Sequence, residues 1–180
     1  RHRGAVISFL GSGISDGAQG PDISAIPSIA LKQVEVLRDG AAAQYGSDAI
    51  AGIMNFVYRD NSEGTQIEIR TGEYADGDGD MYRVAANIGM PFTADGFANI
   101  SVELQDTDPT SRSQQRGDAQ ALYDGGNAAI WNYPNPAQVW GSPEVSDDVK
   151  LVANIGLELD TDQEFYLFGN YAERKVLGGF

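Results

Sequence analysis

The sequence predicts an α+β N-terminal segment followed by antiparallel β-strands of the kind that build a membrane barrel. Three observations carry this: a break in charge near residue 60, strict two-residue alternation beyond it, and connections that are alternately very short and very long. Acidic residues number 26 against 12 basic ones, for a net charge of −14. From Arg1 to Arg59 five basic residues balance five acidic ones, so the whole surplus lies from Asp60 onward. The junction Asp60-Asn61-Ser62-Glu63-Gly64 is polar and turn-rich. It divides the chain into 1–59, a linker at 60–64, and 65–180.

Composition removes several classes of function. Clustered cations are what phosphate binding needs, so a chain this acidic argues against nucleic acid as a partner. With no Cys and a single His, disulfide scaffolds, thiolate sites, a Ser-His-Asp triad and multi-histidine metal sites all fall away. No enzyme activity, cofactor or metal is expected. No apolar run reaches the roughly 20 residues of a membrane helix. A chain that begins with Arg1 rather than Met, without a charged-then-apolar leader, reads as a piece of something longer.

In the first segment, Ala5 to Leu10 is an apolar strand candidate, followed by a Gly/Ser/Asp loop through Gly20. Val34 to Leu37 is rich in β-branched residues and is stopped by the turn signal Asp39-Gly40. Ala41 to Gln44 favours a short helix ending at Gly46, and Ser47-Asp48 can cap another turn to Ala51. Ile53 to Arg59 returns to strand character. The order strand, helix, strand is α+β or βαβ-like.

Beyond the linker the arithmetic is sharper. A weaker strand, Gln66 to Thr71, sets Ile67 and Ile69 opposite Glu68 and Arg70. Tyr82, Val84, Ala86, Ile88, Met90 and Phe92 alternate with Arg83, Ala85, Asn87, Gly89 and Pro91. Thr93-Ala94-Asp95-Gly96 is a hairpin turn by its Asp-Gly. Ala98, Ile100, Val102 and Leu104 then alternate with Asn99, Ser101, Glu103 and Gln105. Leu151, Ala153, Ile155, Leu157 and Leu159 alternate with Val152, Asn154, Gly156 and Glu158. Asp160 to Gln163 turns this strand into Glu164 to Val176, whose two faces the sequence leaves unassigned. The connection from Leu104 to Lys150 runs over forty residues and holds four prolines. Compact soluble domains rarely contain so long a structureless loop, whereas outer-membrane barrels pair short turns with long loops. A soluble β-sandwich also alternates, so a soluble β-rich binding or adhesion module stands as the alternative.

The run Ile26 to Gly40, with Ile26-Pro27, Val34-Glu35-Val36-Leu37-Arg38-Asp39-Gly40, continues as Ala41 to Phe56 through Gln44-Tyr45-Gly46-Ser47 and Ala49-Ile50-Ala51-Gly52. It resembles the late plug-domain signature of TonB-dependent outer-membrane receptors. About thirty contiguous residues match. Lys32-Gln33 stands where Glu-Arg is usual, and Met54 where Ile or Val is usual.

The resemblance implies a plug ending near residue 59 and the first strands of a 22-stranded barrel, in the outer membrane of a Gram-negative bacterium. The plug would lie in the lumen, with short turns periplasmic and long loops extracellular. The function implied is energised uptake of a scarce ligand: siderophore, haem, cobalamin, oligosaccharide or peptide. Implied partners are the TonB energy-transducing complex, whose N-terminal box is absent from this sequence, outer-membrane lipid, and a small-molecule or oligomeric ligand. The resemblance implies plug-signature and gating roles for Glu35, Arg38, Asp39, Gly40, Tyr45, Gly46, Gly52 and Asn55. Glu35 and Arg38 either face the inward charges Glu68, Arg70, Arg83 and Glu103 or form a solvated strand-end pair, and Tyr45 reads as packing.

Ligand-contact candidates are Ser12, Ser15, Asp16 and Gln19 in the loop from Gly11 to Gly20, and Trp131 and Trp140 in the long connection. These tryptophans, with Tyr123 and Tyr133, either stack a sugar or aryl ligand or pack the loop. Gly11-Ser12-Gly13 lacks the third glycine and helix of a dinucleotide site. Asp76-Gly77-Asp78-Gly79-Asp80 begins like a calcium loop, but Met81 and Asn87 stand where Gly and Glu are needed. Asp147-Asp148 has no acid/base partner, so no hydrolase case exists.

Overall fold

The computed structural model describes residues 6–8, 19–38, 52–110, 115–127, 129, 141–160 and 163–177. The proposed helix over 41–44 and turn over 47–51 lie outside them. Two short antiparallel ladders come first. Strand β1 (Val6–Ser8) pairs with β2 (Gln19–Pro21), Ile7 opposite Gly20. The loop read through Gly20 therefore closes earlier, because Gly20 can extend and pair. Asp22 then caps a 3₁₀ turn (Ile23–Ala25) by accepting from the Ser24 N–H at 3.0 Å. A second 3₁₀ turn (Ser28–Ala30) follows, with Pro27, Ile29 and Ala30 buried.

Strand β3 (Leu31–Arg38) pairs with β4 (Gly52–Tyr58), with Val34 opposite Phe56 and Arg38 opposite Gly52. The pairing is antiparallel, which corrects the βαβ-like alternative: a βαβ unit would have made these strands parallel.

Five strands follow, β5 (Thr65–Gly72), β6 (Met81–Pro91), β7 (Gly96–Thr107), β8 (Glu144–Asp160) and β9 (Gln163–Leu177), in one sheet ordered β5-β6-β7-β8-β9. Neighbours in sequence are neighbours in space, as in a meander. The β6–β7 turn closes with the Phe92 N–H donating to the Gly96 carbonyl at 3.1 Å, and Thr93 takes a left-handed φ of 76°. The long connection is shorter than the sequence suggested. β8 begins at Glu144, and a helix, α1 (Gly117–Asp124), occupies part of the stretch read as structureless. Gly117 and the absence of an apolar stripe hid this helix; only Ala119 on it is buried.

Packing divides the chain into two units. One comprises Arg1–Ile67, Ala86–Glu103 and Lys150–Ala172; the other comprises Glu68–Ala85, Leu104–Val149 and Glu173–Phe180. In the first unit the covered side of the sheet is mostly polar, with Val152 the large apolar side chain buried among the polar ones. Asn87, Asn99, Ser101, Glu103, Lys150 and Asn154 are buried, while Ile88, Met90, Ile100 and Leu151 are 40–42% exposed. In the second unit Arg83 and Asp148 are buried, whereas Tyr82, Val84 and Leu104 are exposed. This inverts the burial rule of a water-soluble protein, in which apolar groups go inside and charges outside. β9 resolves into two faces: Arg174 reaches the buried Asp148 at 2.8 Å, and Lys175 reaches the exposed Asp147 at 2.6 Å. No helix among the described residues is long and apolar enough to cross a membrane, which says nothing of strands.

Candidate functional site: the crossing segment and the polar sheet face

The segment that carries the chain from β4 into β5 is held at both ends. On the N-terminal side, the Arg59 N–H donates to the Ala30 carbonyl at 2.9 Å, and Arg59 Nε to the Ile29 carbonyl at 2.8 Å. Lys32 and Asp60 add an ion pair at 2.8 Å, about half exposed and so worth little. On the sheet side, Asn154 Nδ2 donates to the Arg59 carbonyl at 2.8 Å. Asn99 Nδ2 donates to Asn61 Oδ1 at 2.9 Å, and Asn61 Nδ2 donates to the Glu63 carbonyl at 2.7 Å.

The network continues inward. Asn87 Nδ2 donates to Asn99 Oδ1 at 2.5 Å and to Ser101 Oγ at 2.8 Å. Each of these buried carboxamides costs about 1–3 kcal/mol if its partner is removed. The network therefore fixes where the segment crosses. Gly89 makes room for it: a Cβ there would overlap the side-chain nitrogen and carbonyl of Asn61. Two strands further on, a Cβ at Gly156 would overlap the Phe97 ring, an aromatic laid across a glycine.

Charges on the covered face are paired. Lys150 Nζ meets Glu103 at 2.7 Å, with both side chains at most 7% exposed. In the second unit, Arg83 donates to Glu68 at 2.7 Å, Arg70 also pairs with Glu68, and Arg174 donates to Asp148. Buried charge is tolerated here because every member named has an opposite partner.

Among the described residues, two cavities can be outlined beside these elements. One, of about 460 Å³, lies in the first unit between β4 and the start of β9, with Tyr58, Phe97, Asn154, Glu164, Tyr166 and Phe168 among its walls. Burial, and then the nearby Tyr166 phenol, push the Tyr58 phenol above its ordinary pKa. The other, of about 320 Å³ in the second unit, includes Tyr74, Met81, Gln105 and Thr107. No group of three or more His, Cys, Asp or Glu side chains that could hold a metal occurs among the described residues.

Of the signature positions, Glu35 and Asn55 face each other in register, and Asn55 Nδ2 donates to Glu35 at 2.9 Å. Gln33 donates to the same carboxylate. Glu35 thus finds its partners within its own hairpin, while Glu68 and Glu103 pair with cations of the sheet. Arg38 is exposed, opposite Gly52, whose φ of 130° and contact with the Leu37 carbonyl exclude a side chain. Gln19 lies in β2. Asp39, Gly40, Tyr45 and Gly46, and likewise Ser12, Ser15, Asp16, Trp131 and Trp140, lie outside the described residues. Asn61, Asn87, Asn99, Asn154 and Gly89 were not singled out from the sequence. The available signal was Asn or Gly recurring at the polar positions of successive strands.

Residues 5–53 match the family described as TonB-dependent Receptor Plug Domain. Over 94 residues the chain is 27% identical to the vitamin B12 transporter BtuB of Photobacterium profundum, covering 52% of this chain and 15% of that protein. Over 97 residues it is 34% identical to the vitamin B12 transporter BtuB of Vibrio vulnificus, covering 51% of this chain and 16% of that protein. The chain thus spans 15–16% of the length of these curated relatives. No solved structure matches. Residues 5–53 thus resemble the plug domain of TonB-dependent receptors, and the similarity to the two transporters extends over about half of the chain.

Proposed function

We propose that the chain is the end of the plug and the first five barrel strands of an outer-membrane, TonB-dependent transporter. Residues 1–59 are plug, 60–64 the crossing segment, and 65–180 barrel, the start of a 22-stranded wall. The observation that carries this reading is the inverted sheet, polar where covered and apolar where exposed, fed directly by a plug-type hairpin. Along β8 the exposed-side apolar positions run from Val149 to Leu159 and give way to Asp147. That is a band of eleven residues, matching the 9–11 of a strand crossing the hydrocarbon layer. Lipid covers the apolar face and the lumen receives the polar one.

The short turns after β6 and β8 face the periplasm, and the connection carrying α1 faces outward. The energy-transducing partner is the TonB complex. The similarity to vitamin B12 transporters puts cobalamin first among the ligands to test, ahead of siderophore, haem, oligosaccharide and peptide. The test is uptake of a labelled ligand panel by cells expressing the full-length protein, with and without a working TonB complex. TonB-dependent accumulation of one ligand supports the reading. Equal uptake of all ligands in both strains would overturn it.

A further inference from the structure

The chain leaves the β3–β4 hairpin by crossing one strand of the sheet after another. Tyr58 lies against Phe168 of β9, ring centroids 6.0 Å apart. Arg59 follows at β8, its carbonyl accepting from Asn154 Nδ2 at 2.8 Å. Asn61 is bonded to Asn99 of β7 at 2.9 Å. The Gly64 carbonyl accepts from the Gly89 N–H of β6 at 2.9 Å, and β5 begins at Thr65. All five strands are thus met in turn between Tyr58 and Thr65. Those residues reach about 25 Å when fully extended, and four strand spacings need about 19 Å. The segment has little slack.

The contacts with β6, β7 and β8 are hydrogen bonds, which water can replace. The contact with β9 is apolar, and water has no substitute for it. Among the described residues of β9, all are exposed except Phe168, which is half-buried. Tyr166, two residues earlier and so on the same face, lies 5.9 Å from Phe168. The Asn154 carboxamide that holds Arg59 also hydrogen-bonds the Tyr166 side chain. The rings and the carboxamide therefore brace each other where the segment starts.

We propose that Tyr58, Phe168 and Tyr166 form an aromatic latch that pins the end of β4 at β9 and so keeps the hairpin laid crosswise over the sheet. The covalent tie of the hairpin is at β5, on the far side of the sheet, and the latch is its second anchor. With the rings parted, the hairpin swings about the covalent tie as the hydrogen bonds exchange with water. The inference rests on the transport reading only in taking the hairpin as plug and the sheet as wall.

The test is the distance distribution between nitroxides at Met54 and Leu167, both exposed, in the full-length protein in bilayers. A second pair at Ile100 and Leu151 reports whether the sheet itself is intact. Tyr58→Ala and Phe168→Ala are expected to broaden the first distribution at least about twofold and leave the second narrow, since each removes a ring pair. Phe168→Tyr keeps the ring and should keep the narrow distribution. Phe165→Ala, on the opposite face of β9, should do the same. If Phe168→Ala disturbs the sheet pair, Phe168→Leu takes its place. An unchanged first distribution with the sheet intact, or equal broadening by Phe165→Ala, would overturn the latch. These distances are read without ligand or TonB complex, so a failed latch and a failed uptake test are told apart.

Discussion

Asn61 and Asn99 are joined side chain to side chain at 2.9 Å, directly over Gly89, the residue whose missing Cβ lets the crossing segment lie against the sheet. This contact ties the segment leaving the β3–β4 hairpin to strand β7 through one carboxamide pair. It also explains why an apolar residue at position 89 would be wrong on a face that otherwise tolerates Ala85.

Gly89→Ala is expected to destabilise the chain by about 1–3 kcal/mol, the usual cost of forcing extra volume into a filled site. Denaturant midpoints in detergent, compared with Gly169→Ala as a control at a strand glycine with open space around it and no left-handed φ, check this. A Gly89 variant as stable as the wild type would mean the segment has room to move.

How much of this was legible in the sequence depended on which force set each element. The strands from β5 to β9 follow from alternation, because a sheet with one lipid-type face and one polar face writes a period of two into the chain. Val84, Ile88 and Ile100 could be placed on one face, and Asn87 and Ser101 on the other, without coordinates. The β9 faces could not, since Phe165, Tyr166, Leu167 and Phe168 are apolar on both sides, and only the Arg174 and Lys175 contacts distinguish them. The hairpin β3–β4 was readable as two strands, but its antiparallel sense is tertiary information. The asparagine network escaped because each Asn looks like ordinary polar filling; its meaning lies in the crossing segment, which is distant in sequence from Asn154.

The buried pair Glu103–Lys150 offers a sign-specific prediction. Lys150→Met is expected to cost about 3–5 kcal/mol, because it removes the buried cation that pairs with Glu103 at 2.7 Å. The double variant Glu103→Leu with Lys150→Met should recover most of that loss, since two apolar groups need no partner. Equilibrium unfolding of both single variants and the double variant completes the cycle. Additive losses would show that the two side chains do not act as a pair.

Helix α1 carries a pH dependence. Its Asp118 carboxyl is held below the ordinary carboxylate range, first by the hydrogen bond from Arg116, then by the Ala119 N–H. A lowered folded pKa means the stabilisation is fully present above the unfolded value and fades as pH falls through the folded one. The helix is therefore expected to persist at a pH where free aspartate is half protonated, and to fray below it. Amide resonances of residues 117–124 followed through an acid titration measure this, and Asp118→Asn should remove the transition.

Charge on the outward face should be tolerated according to depth. Ile100→Arg is expected to cost about 2–4 kcal/mol in a bilayer, as for a cation at the midplane of a barrel wall. Asp106→Arg on the same strand, beyond the apolar positions, should cost about 1 kcal/mol or less. Folding into vesicles, followed by denaturant titration, ranks the two. Equal penalties would mean that no lipid layer contacts this face.

The most direct test of the account is the side of the sheet that meets lipid. Nitroxide labels placed singly at Val84, Ile88 and Ile100, and at Asn87, Asn99 and Ser101, can be read in bilayers by their accessibility to oxygen and to a water-soluble nickel complex. The first three should be open to oxygen and shielded from nickel, and the last three immobilised and shielded from both. Labels at Asn87 and Ser101 that report lipid, or labels at Val84 and Ile100 that report water, would contradict the barrel reading.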